Sequence, residues 1–72
     1  MIDKIIKAVS ETLEIPVDET ASQDNCEKWD SLRHLSIIVA LEDVFDVSFE
    51  PEDIARMKSI KNIEEVLKNY LI

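Results

Sequence analysis

Four side chains able to do chemistry lie within nine residues of one another: Cys26, Asp30, Ser31 and His34. A serine or cysteine nucleophile needs a histidine at hydrogen-bonding reach, donors for the developing oxyanion, and walls that keep water out. Ser31 and His34, three apart, become neighbours on a helix, which makes a small hydrolase the first reading to weigh. Against it stands size, because a chain of 72 residues buries only about 60% of the surface of its unfolded form and leaves little room for an enclosed pocket. A lone cysteine and a lone histidine do not complete a structural zinc site. A calcium loop starting at Asp18 also fails, since "DETASQDNCEKW" lacks the central glycine and ends in Trp29 where a bidentate glutamate is required. What remains is the hydroxyl of Ser31, opening a helix after an expected mobile loop. There an attached anion meets free backbone N–H groups and the positive end of the helix dipole. Two readings stay open on the residues alone: Ser31 accepts a phosphate-linked group, or it only starts a helix, a common task for serine.

Charge and composition narrow the partners. Sixteen acidic against eight basic residues give a net charge of −8, which disfavours nucleic acid, whose phosphates call for Lys and Arg. A basic partner surface suits this balance, although the same excess also serves solubility. With one cysteine there is no internal disulfide, and a reducing cytoplasm is the expected compartment. "MIDKIIKAVSETLEIPVDE" has no apolar block of signal-sequence length, and no stretch approaches the roughly 20 apolar residues of a membrane span. A soluble, unprocessed, monomeric protein with a single domain over residues 1–72 is expected.

The elements that position Ser31 follow from periodicity. Ile2, Ile5, Ile6, Val9 and Leu13 recur at three- and four-residue steps and predict a first amphipathic helix, ended by Pro16. Residues 17–30 form a long polar loop with Val17 and Trp29 as its anchors. "SLRHLSIIVALEDVF" holds β-branched residues, but fifteen residues without Gly, Pro or Asn are long for a strand and ordinary for a helix. Asp30 is its expected N-cap. Pro51 suits the first turn of a short helix with Glu52 and Asp53 at its positive end. Ser59 caps a last helix whose apolar face runs through Ile60, Ile63, Val66, Leu67, Tyr70 and Leu71. The expected fold is all-α: a small four-helix bundle with three longer helices, one short one, and a long loop between the first two.

The second helix is apolar on most sides and is expected at the centre of the bundle. Leu35, Ile38, Leu41 and Phe45 share one broad side, with Ile37 and Val44 on another. Leu32, Ser36, Val39 and Asp43 fall in a narrow remaining arc, bordered by Arg33 and Ala40. Leu32 and Val39 on that arc are either a contact surface or further core, because periodicity does not orient a helix of this kind.

"WDSLRHLSIIVALEDVFDVSFEPEDIARMKSI" resembles the acyl carrier proteins and the related peptidyl carrier domains. The likeness lies in Asp30-Ser31-Leu32 at a helix start, the apolar run, the segment Leu41, Glu42, Asp43, Phe45, the short acidic helix and the final amphipathic one. It implies a 4′-phosphopantetheine arm on Ser31, transferred from coenzyme A by a separate phosphopantetheinyl transferase, with Asp30 helping that enzyme recognise the serine. It also implies a non-enzymatic carrier whose thiol holds cargo as a thioester. Its further partners would be an acyl- or aminoacyl-loading enzyme and a downstream acyl transferase or synthase. Leu32, Arg33, Ser36, Val39, Glu42 and Asp43 would then face these partners. Arg33 and Ser36 stand where fatty-acid carriers usually have acidic residues, and Trp29 replaces a small residue. These departures point to a dedicated carrier in a specialised pathway. A peptidyl or aminoacyl carrier and, from a different class, an unmodified acidic interaction module are the alternatives.

Overall fold

The structure is a computed structural model that describes residues 1–71. Its helices are α1 (Ile2–Leu13), α2 (Ser31–Phe45), α3 (Pro51–Arg56) and α4 (Ile60–Tyr70), the all-α, three-long-and-one-short arrangement expected from periodicity.

Local sequence sets the helix ends. Asp30 and Ser59 cap α2 and α4, their side chains accepting from the backbone N–H groups of Arg33 and Asn62, and Pro51 opens α3. α1 stops at Leu13, two residues before the residue preceding Pro16, with Glu14 left-handed at φ 60°. Asp46 closes α2 in the same way at φ 54°. The chain has no glycine, so these two turns are made by acidic residues, each at a steric cost of roughly 1 kcal/mol.

Ile5, Val9 and Leu13 of α1, Ile37 and Leu41 of α2, and Ile60, Ile63 and Leu67 of α4 form one buried cluster. α1 packs against both α2 and α4, and α3 lies against α4. The hub is therefore α1, not α2 as the sequence reading expected. α2 buries only His34, Ile37, Ile38 and Leu41, an arc of about 100° spaced i, i+3, i+4, i+7. Leu35 and Val44, assigned to buried sides of α2, are exposed instead. Leu71, assigned to the inner face of α4, is exposed as well, lying beyond the helix end. Periodicity had not placed Ala21, Phe49 and Met57 in the core, yet all three are buried.

The loop between α1 and α2 is pinned rather than mobile. Ser22 pairs with Ser59 in an isolated antiparallel bridge. Gln23 N–H donates to Lys58 C=O at 2.8 Å, and Ile60 N–H donates to Ala21 C=O at 3.0 Å. Inside the loop, the Asn25 amide spans from Ser22 N–H to Thr20 C=O. The Asp18 carboxylate takes both the N–H and the hydroxyl of Thr20, and these bonds hold its pKa below the ordinary carboxylate value. Trp29 is fully sunk in the core, Val17 partly so, so the loop is anchored at both its ends and its middle.

Candidate functional site

The site is built at the junction of that loop with α2. Asp30 is extended at φ −91°, ψ −179°. Its carboxylate Oδ1 accepts from Arg33 N–H and its carbonyl from His34 N–H, each at 2.8 Å. Two donors of the first turn are thereby satisfied. Ser31, the first helical residue, is exposed. Its hydroxyl stands beside the helix start, where remaining N–H groups and the dipole favour a negative charge. The residues present thus fit a phosphate ester: an accessible oxygen, a positive helix end, and a cap that presents them together.

Cys26 and His34 are not brought to Ser31 as catalytic partners. His34 is buried and both ring nitrogens are engaged. Nδ1 accepts from the Trp29 indole N–H at 3.0 Å, and Nε2 lies 2.9 Å from the Ile54 carbonyl. Neither nitrogen is free to take a proton from a serine. Cys26 is half-buried against the core and gives its carbonyl to the N–H of Trp29.

Beyond Ser31 the outer face of α2 carries Leu32 at 77% exposure, Leu35 at 57% and Val39 at 64%. Ser36 and Asp43 lie on the same exposed side. Arg33 is exposed and leans back on Asp30, with Nη1 to Oδ2 at 3.7 Å. Such an exposed pair contributes well under 1 kcal/mol. Glu42 turns inward instead, its Oε2 accepting from Phe49 N–H at 2.8 Å, which ties the chain after α2 back to the helix. Sequence reasoning missed Leu35 as a surface residue. It also missed the Trp29–His34–Ile54 connection, which no local pattern signals.

Open surface grooves lie among the described residues. One of about 440 Å³ lies along α3 and α4 between Asp53, Arg56, Asn62 and Glu65. Two of about 290 and 300 Å³ lie where α1 meets α2, around Ala8, Glu11 and Val44. None of these three is lined by Ser31.

A family model described as "Phosphopantetheine attachment site" matches residues 3–67, a span that includes most of α1, the loop, α2, α3 and most of α4. With Ser31 displayed at the head of α2, fold and match define a class: the chain belongs to the acyl carrier protein family, whose members bear 4′-phosphopantetheine. Among curated proteins it is similar to "Acyl carrier protein" of Syntrophus aciditrophicus (strain SB), 32% identical over 69 residues that cover 92% of this chain and 86% of that one. Members of this family work with partner enzymes, and no helix among the described residues is long and apolar enough to cross a membrane.

Proposed function

We propose that Ser31 carries the 4′-phosphopantetheine arm and that the protein is a cytoplasmic, monomeric, non-catalytic carrier of acyl thioesters in a specialised biosynthetic pathway. The observation that carries this reading is the exposed Ser31 at the first position of α2, capped by Asp30, within the matched span. In the attachment step Ser31 Oγ supplies the electron pair that forms a phosphoester bond. The pyrophosphate bond of coenzyme A breaks, adenosine 3′,5′-bisphosphate leaves, and the serine proton passes to the transferase. The arm then supplies a terminal thiol for thioester exchange. The chain's own residues set the geometry: Asp30 holds the first turn, and the helix dipole stabilises the phosphodiester charge.

The outer face of α2 supports the dedicated pathway. Near Ser31 it offers Leu32, Leu35 and Val39, together with Arg33, already paired to Asp30, and Ser36. Asp43 lies further along the same side. A loading enzyme and a downstream transferase or synthase would meet mainly aliphatic contacts near the arm, with acidic ones toward the far end. Intact mass tests the core of the reading. Incubation with coenzyme A and a promiscuous phosphopantetheinyl transferase adds one phosphopantetheinyl group to the wild type and none to Ser31→Ala. An unmodified wild type would sink the reading and favour a plain interaction module. The mass of the native thioester separates acyl from aminoacyl cargo.

A further inference from the structure

Trp29 and His34 are the chain's only tryptophan and only histidine, and both are buried, at 2% and 9% exposure. The indole N–H is a donor only, and a carbonyl is an acceptor only. An imidazole bridging Trp29 and Ile54 must therefore accept at Nδ1 and donate from Nε2, as the neutral Nε2–H tautomer. The two rings lie 25° apart with centroids 6.3 Å from each other. That separation suits rings joined edge to edge through an N–H···N bond better than rings stacked face to face. Three pieces of chain meet in this bridge: the residue two before Ser31, the residue three after it, and the middle of α3. The backbone N–H of Trp29 bonds to Cys26 within the loop itself, so the indole bond is how Trp29 reaches α2, beside the bonds by which Asp30 caps the same helix.

We propose that His34 is a positioning residue for the modification of Ser31. Through Trp29 it holds residues 29–31 in the arrangement that displays the hydroxyl to the transferase, while the Ile54 carbonyl takes the Nε2 proton and so leaves Nδ1 to accept from the indole. The proposal rests on the assignment of the arm to Ser31. When the indole bond is lost, the segment samples other arrangements, and the transferase recognises only the fraction that remains correctly displayed. KM for the carrier rises by the inverse of that fraction while kcat is kept.

Two substitutions separate the halves of the bridge. His34→Gln places its amide where Nε2 was, keeping a donor for Ile54 and withdrawing the acceptor from Trp29. His34→Asn places an oxygen near Nδ1, keeping the acceptor and giving up Ile54. Transfer kinetics with the carrier as varied substrate should show His34→Gln raising KM by about three- to tenfold with kcat little changed. His34→Asn should stay within about twofold of wild type, as should Ile63→Val, a core control for lost stability. Nitrogen-15 NMR of wild-type His34 should find the proton on Nε2. Should His34→Gln fail to fold, Trp29→Phe removes the same bond from the other side and carries the same expectation. The proposal is overturned by a proton on Nδ1, by a wild-type KM in the variant lacking the indole bond, or by an equal rise in His34→Asn or Ile63→Val. A wild type that accepts no arm overturns the Ser31 assignment too, whereas normal modification of both wild type and His34→Gln overturns this proposal alone.

Discussion

Both faces of α2 carry aliphatic side chains, and the two differ in what covers them. Ile37, Ile38 and Leu41 on one face are at most 3% exposed, whereas Leu32, Leu35 and Val39 on the other are 57–77% exposed. Aliphatic side chains are core where α1 covers them and open surface where no helix does. An apolar run in a small helical protein is thus split between core and surface by the neighbouring helix alone. Isolated exposed leucines need no explanation. Three on one helix face beside Ser31 form a contiguous apolar strip, the one to which the proposed function assigns partner contact.

Truncating a side chain on each face should give the largest difference. Leu41→Ala, in the fully buried stripe, should cost about 2–5 kcal/mol in urea unfolding. For Leu35→Ala the change should be about 0.5 kcal/mol or less, with the loss appearing instead in turnover by the loading enzyme. Equal destabilisation by the two would erase the distinction between the faces.

A finer contrast lies between adjacent acids. Glu42 accepts from Phe49 N–H at 2.8 Å and Asp43 is exposed. Glu42→Ala should therefore lower stability by about 1–2 kcal/mol, against about 0.5 kcal/mol or less for Asp43→Ala. Denaturant midpoints of the pair check whether Glu42 is a structural tie or a free surface charge.

The smallest effect concerns the edge of α3. Tyr70 donates its hydroxyl to the Asp53 carboxylate at 2.6 Å. This raises its pKa above the ordinary 10, while the Glu50 N–H on the phenol oxygen acts in the opposite sense. A raised folded value means that the bond's contribution is fully present below the ordinary pKa and fades as pH rises through the folded one. Phenolate absorbance of this single tyrosine should reach its midpoint above pH 10 and move down in Asp53→Asn.

Much of the fold was legible because its signals are local. Asp30, Pro51 and Ser59 each mark a helix start through bonds or dihedrals that span no more than three residues, and the structure places all three as expected. Ser31 could be singled out for the same reason. Illegible parts depended on partners distant along the chain. The polar loop looked mobile because its ties to Lys58 and Ile60 come from the far side of α3. The bond of His34 to Ile54, twenty positions away, likewise leaves no trace in the local pattern.

Where the helices begin, which serine opens the longest of them, and the acidic balance of the chain were all written in residues close together, since caps, proline and charge act over a few residues. Which side of α2 is core, and which groups meet the two edges of the His34 ring, came from packing between distant segments. A helix apolar on most sides acquires an inside only when another helix covers it, and an imidazole acquires a fixed tautomer only when a donor and an acceptor arrive on its two edges.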